Sequence, residues 1–189
     1  EVVIKRRELT TPADRLKARL GLGRASRQWR GARWLESHGF DTARPLLVAL
    51  EIRDDGMREW LVLEALPGAS VLRHLADAEL SIGQQHDLAR RLARQIAAIG
   101  EAGMYNGDHK PSNLIVIDGR PAIVDTVAIR RGRRPERMLH ALAVEPLGEG
   151  VLPRRSLRAR VIHDLVLAER HLSGGADRAG KARRRAYWE

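Results

Sequence analysis

The chain has 189 residues, 43% of them hydrophobic, which is enough for one compact domain with a real core and too apolar for a disordered chain. It has no cysteine, excluding disulfide frameworks, thiolate metal sites and thiol catalysis; no apolar run reaches the roughly 18 residues of a membrane-spanning helix, and no secretory signal is visible. The net charge of +10 sits at the two ends: residues 1–50 and 151–189 carry +6 each, 51–100 carry −2 and 101–150 are neutral, so the ends suit phosphates, an anionic membrane surface or nucleic acid.

Val2-Val3-Ile4-Lys5-Arg6 predicts a strand, closed by Thr10-Thr11-Pro12. Residues 13–22 are weakly helical and basic, broken by Gly21 and Gly23. Trp29, Ala32 and Leu35 recur at threes and predict a helix from about residue 26 to 38, with Gly39 as its stop. Residues 46–52 and 59–63 read as strands around the turn Asp54-Asp55-Gly56. Leu66-Pro67-Gly68 is the next break, and a short helical stretch follows near 71–75. Ser81 and Gln84 form a capping box, and Leu88, Leu92, Ile96 and Ile99 make the clearest helical stripe in the chain, ending around 100–103.

A polar stretch, residues 107–113, precedes a hairpin in which 114–117 and 121–124 flank Asp118-Gly119-Arg120. Residues 130–137 read as a basic loop. Leu157, Val161, Leu165 and Ala168 predict a late helix, and a basic run at 181–185 lies beside Tyr187-Trp188. Strands first, then mostly helices with one inserted hairpin, predict an α+β fold with a linker near residues 64–70.

The chemistry concentrates in residues 104–125. Asp108 and Asn113 share one loop, and a hairpin folds its outer ends together, so Asp125 returns to the neighbourhood of Asn113. An Asp and an Asn on one face suit Mg²⁺, a hard cation that prefers oxygen and keeps several waters. A further Asp can orient or deprotonate a hydroxyl, and Lys110 adds positive charge for a transferring phosphoryl group. Taken singly, Asp108 and Asn113 also fit an ordinary turn. Their spacing, Lys110, the apolar hairpin and Asp125 together favour a site.

Asp108-His109-Lys110-Pro111-Ser112-Asn113 resembles the catalytic loop of the protein-kinase-like fold, and Asp125, after Ala122-Ile123-Val124, resembles its second metal-binding Asp. Val3-Ile4-Lys5 resembles the strand whose Lys holds the α- and β-phosphates, and Leu61-Val62-Leu63-Glu64 the hinge strand that offers backbone groups to adenine. More closely, the Val-Ile-Lys-Arg strand, Arg27-Gln28-Trp29-Arg30, Gly39-Phe40-Asp41-Thr42-Ala43-Arg44-Pro45 and the catalytic loop resemble the lipopolysaccharide core kinase family, which phosphorylates heptose or Kdo sugars.

The resemblance implies a bilobal fold with a partial nucleotide-binding lobe over residues 1–65 and a mainly helical catalytic lobe over 66–189. It implies ATP and Mg²⁺ as cofactors, Asp108 and Lys110 as catalytic residues, Lys5, Gln28 and Glu64 at the nucleotide, and Asn113 and Asp125 at the metal. The acceptor would be an anionic glycolipid, and the enzyme would lie in the cytoplasm, peripheral on the inner membrane, with no specific nucleic acid. Three positions depart from the pattern: Asn106 stands for a His, Gln28 for the Glu that pairs the strand Lys, and Thr126-Val127 for Phe-Gly. Glu36 is two turns beyond Gln28 and a poor substitute. The glycine-rich nucleotide loop would lie upstream of Glu1. These departures keep a non-catalytic nucleotide-binding pseudokinase open, and because other kinases share the loop, a kinase of another small molecule or of protein stays open as well. A nucleic-acid-binding module would use the charge but not the Asp–Asn–Asp arrangement, and 4% aromatic residues offer little stacking surface.

Overall fold

In the computed structural model, which describes residues 1–76 and 81–148, three antiparallel strands form the first layer: β1 (Val2–Glu8), β2 (Pro45–Arg53) and β3 (Gly56–Glu64), in the order β1-β3-β2. Central β3 alternates strictly, burying Met57, Glu59, Leu61 and Leu63 on one face. The register sets Lys5 opposite Leu61 and Val3 opposite Leu63, so Lys5 belongs to the buried face.

Helix α1 (Pro12–Arg19) follows β1, capped by Thr11, whose hydroxyl accepts from the Asp14 amide at 3.1 Å. Helix α2 (Arg24–Ser37) covers the buried face of the sheet with Ala25, Gln28, Gly31, Ala32 and Leu35. It starts at Arg24, earlier than the apolar stripe alone predicts. It ends as Gly39 predicts: Gly39 has φ 75°, its amide donates to Glu36 O at 3.1 Å and that of Phe40 to Leu35 O at 2.9 Å.

The second layer contains β4 (Ala69–Ser70), α3 (Val71–Ala76), α4 (Ile82–Glu101), β5 (Met104–Asn106), a 3-10 turn (Pro111–Asn113), β6 (Leu114–Ile117), β7 (Arg120–Ile123), β8 (Ile129–Arg131) and α5 (Pro135–Gly148). The capping box of α4 forms in both directions. Such a cap contributes about 1 kcal/mol, whereas each fully buried Leu or Ile contributes about 1.5–3 kcal/mol. The buried stripe Leu88, Leu92, Ile96 and Ile99 is therefore what holds α4 in place, packed with Leu114, Ile123 and Met138. Leu35 of α2 enters the same cluster and joins the two layers.

A second joint lies at residues 41–43. Ile123 N donates to Asp41 O at 2.9 Å, Thr42 Oγ1 donates to Ile123 O at 2.7 Å, and Arg120 pairs with Asp41. The basic stretch 130–137 is not one loop. Ile129–Arg131 pairs with Met104–Asn106, a strand the sequence pattern does not announce, and α5 begins at Pro135. Tyr105 explains why the charge misleads: Arg134 and Arg137 stand over its ring at 5.8 and 5.9 Å instead of ranging freely in water. The late helix through Leu157–Ala168 and the basic run at 181–185 lie outside the described residues. Among the described residues no helix is long and apolar enough to cross a membrane.

Candidate functional site

The hairpin β6–β7 builds the site. Asp118 and Gly119 both have positive φ, 49° and 74°, which a two-residue turn of the right twist requires. Leu114 pairs with Ile123, and the next step of the ladder carries Val124 N to Asn113 O at 3.0 Å. Asp125 is thereby held one residue from the strand that ends beside Asn113. The loop before it is folded by Lys110 N donating to Asp108 O and Asn113 N donating to Lys110 O, both at 2.9 Å. Asn113 Nδ2 then reaches Asp108 O at 3.0 Å and Asp108 Oδ2 at 3.1 Å. Lys110 Nζ stands 3.0 Å from Asp108 Oδ1. The three groups Asp108, Lys110 and Asn113 are therefore one hydrogen-bonded unit, open to solvent at Asp108 and Lys110.

Buried groups support this unit from below. Asn106 is fully buried; its Oδ1 accepts from Asp108 N at 3.1 Å and its Nδ2 reaches Asp125 O at 3.5 Å. The amide thus ties the loop to the Asp125 segment, using one donor and one acceptor, the pair a neutral imidazole would also offer. His109 is also fully buried, and among the described residues neither ring nitrogen has a partner. Burial pushes its pKa down to about 3, so the ring is neutral and acts as core.

The opposite wall comes from β1 and α2. Lys5 Nζ donates to Gln28 Oε1 at 3.4 Å, and Gln28 Nε2 donates to Val124 O at 3.0 Å. Thr126 Oγ1 donates to Gln28 O at 2.6 Å. Gln28 thus joins the strand Lys to the residue before Asp125, a link that a carboxylate, with no hydrogen to give, could not complete. Gly31 allows this close docking, since a Cβ there would stand 2.3 Å from Thr126 O. Burial lowers the Lys5 pKa, opposed by the charge of Asp125. Glu36 is on the exposed side, paired with Arg33 at 2.6 Å.

Arg24 is a site residue that sequence reasoning missed. Its Nη2 stands 3.4 Å from Asp125 Oδ2. With the helix drawn from residue 26, Arg24 lay outside it; placed on the helix, it is one turn before Gln28 and on the same side. At the far end of β3, Glu64 pairs with Arg44 at 3.3 Å, and its amide donates to Arg44 O at 2.9 Å. Its carbonyl is the backbone group it could offer a base.

The donor set fits Mg²⁺. Asn113 has Nδ2 engaged, leaving its amide oxygen for a cation, and Asp125 offers a mostly buried carboxylate whose Oδ1 accepts from Val127 N at 3.1 Å and whose Oδ2 stands 3.4 Å from Arg24. No cluster of three or more His, Cys, Asp or Glu exists among the described residues.

No protein-family model matches the chain, and no curated protein matches it in sequence. The structure is similar to that of WaaP in complex with acyl carrier protein, with a TM-score of 0.56 and 16% identity over 79% of this chain and 71% of that one. At that identity the likeness extends to the α+β fold. As 721 solved chains match the fold, it does not by itself choose a substrate.

Proposed function

We propose that the protein is an ATP- and Mg²⁺-dependent phosphotransferase acting on a sugar hydroxyl of the lipopolysaccharide inner core. The observation that carries this reading is the Asn113 amide bonded to Asp108 at 3.1 Å with Asp125 returned beside it by the hairpin. The fold shared with WaaP and the loop's resemblance to the core kinase family support it. Residues 1–65 form the nucleotide side and residues 66–189 the catalytic side.

Asp108 Oδ2 orients the acceptor hydroxyl and takes its proton as the oxygen attacks the γ-phosphorus; the bond to the bridging oxygen breaks and ADP leaves with its electron pair. Lys110 offsets charge on the transferring group, and Lys5, held by Gln28, grips the α- and β-phosphates. Asn113 and Asp125 would hold Mg²⁺, which neutralises phosphate charge when bound. Glu64 would offer its carbonyl to adenine. The enzyme would work at the cytoplasmic face of the inner membrane, where such an acceptor is assembled.

The test is transfer of label from γ-labelled ATP to dephosphorylated core lipopolysaccharide by the full-length protein, with Asp108→Ala as control. Loss of transfer in the control supports the reading. No transfer above the control, while a known core kinase labels the same acceptor, sinks the acceptor assignment. A second reading, the pseudokinase, is favoured by Arg24, whose guanidinium already occupies Asp125. Mg²⁺-dependent ATP binding without consumption of ATP would select it.

A further inference from the structure

Between β1, α1 and the start of α2 lies a cavity of about 300 Å³ that the reaction above leaves unused. Four cations line it: Arg7, Lys17, Arg24 and Arg27. Arg7 is engaged by Asp14 at 3.0 Å and by the buried Glu59 at 3.9 Å, and Arg24 by Asp125. Among the described residues, no hydrogen bond or ion pair engages the side chains of Lys17 and Arg27. Two charges in the lining therefore have no partner among the described residues.

The cavity's lining is mostly charged, with Leu22 as its one large apolar side chain. Leu22 lines it and is 51% exposed; Leu16 and Leu20, one turn apart on α1 and its end, are 58% and 63% exposed. Along a helix Leu20 lies about 60° from Lys17, so this leucine and the open cation adjoin. Helix α1 has no buried residue at all. It is held by its cap, by Arg15 Nε donating to Leu9 O at 3.0 Å, and by the Arg7–Asp14 pair. Packing gives no reason for its leucines.

We infer that this surface docks on an anionic bilayer: the cavity takes a lipid phosphate at Lys17 and Arg27 while Leu16, Leu20 and Leu22 enter the boundary between headgroups and acyl chains. A soluble phosphate or a nucleic acid would use the cations and leave three leucines in water, whereas a bilayer uses both. Arg24 places this surface next to Asp125, so docking would bring a membrane-borne acceptor towards the candidate site. That last consequence rests on the kinase reading; the docking itself does not.

The test uses the full chain without nucleotide, so it stands or falls apart from phosphoryl transfer. Because the chain has no cysteine, Leu20→Cys can carry a single polarity-sensitive fluorophore. Vesicles of equal parts phosphatidylglycerol and phosphatidylcholine at physiological salt should shift its emission to the blue, while the same label at Glu101→Cys, at the end of α4, stays water-like. Lys17→Glu with Arg27→Glu should weaken the vesicle titration at least about tenfold, since two cations near the surface become anions. Cosedimentation with an unshifted label at position 20 would assign binding to another surface, such as the basic C-terminal run, and overturn the inference. So would absence of cosedimentation. Inorganic phosphate bound through Lys17 and Arg27 with no vesicle insertion would make the cavity a soluble-anion site and likewise overturn it.

Discussion

The loop from Asn106 to Asp125 and the surface built by β1, α1 and the start of α2 carry charge in opposite ways. In the loop, the side chains around Asp108 find partners within the fold: Asp108 holds Lys110 and Asn113, and Asn106 ties Asp108 N to Asp125 O. On the other surface Lys17 and Arg27 stand without partners among the described residues, beside exposed leucines. Polar groups satisfied inside a fold set a geometry, because moving one leaves others unpaired. Cations left open over a cavity set no geometry and are available to something outside. The first region fixes a geometry, and the second leaves charge open to solvent.

Four measurements would break or sharpen that contrast. Asp108→Asn retains the size of the side chain and should cost about 10³-fold in kcat for label transfer, because the amide cannot take a proton, while the unfolding midpoint barely moves. A comparable loss of stability would mean that Asp108 is scaffold. Gly31→Ala tests the seam between the regions. An added Cβ would gain about 1 kcal/mol of helix propensity but meets backbone at 2.3 Å, so a net destabilisation of about 2 kcal/mol in urea unfolding is expected. Transfer should also fall, as α2 lifts Gln28 from Val124.

His109→Leu should stabilise the protein by about 1–2 kcal/mol, since it removes two buried ring nitrogens without partners. It should also flatten the acid limb of stability. The folded ring titrates near 3 and the unfolded one near 6.5, so protons bind the unfolded chain first as pH falls. Stability present above pH 6.5 is then lost at about 1.4 kcal/mol per pH unit down towards 3, and this contribution is absent in the Leu variant. Equal acid slopes in the two proteins would refute the neutral buried ring. Lys17→Ala, finally, should leave thermal unfolding within about 0.5 kcal/mol of the parent, as befits a cation with no partner in the fold. A larger loss would place Lys17 in the fold's own network and weaken the contrast.

Much of the molecule was legible along the chain. The α4 stripe, its capping box, the Gly39 stop and the Asp118-Gly119 turn depend on residues within a turn or two of each other, and local periodicity and φ preference suffice for them. The spacing from Asp108 to Asn113 and the hairpin leading to Asp125 are equally local, which is why the candidate site could be assembled from one segment. Strands β5 and β8 were not legible: each has three residues, and β8 is mostly arginine.

Three features were decided only by tertiary structure, and each joins distant parts of the chain. Gln28 meets Val124 across 96 residues, Arg24 meets Asp125 across 101, and Gly31 lies against Thr126. No period in the sequence encodes such a meeting, because it depends on which faces two separate elements bury against each other. The sequence by itself determined that the chain at Val124 returns beside Asn113, since a hairpin must bring its ends together. Docking of α2 onto the 124–126 segment, with the resulting hold of Arg24 on Asp125, came from packing between layers, where the partner of a charge is whatever the buried face carries opposite it.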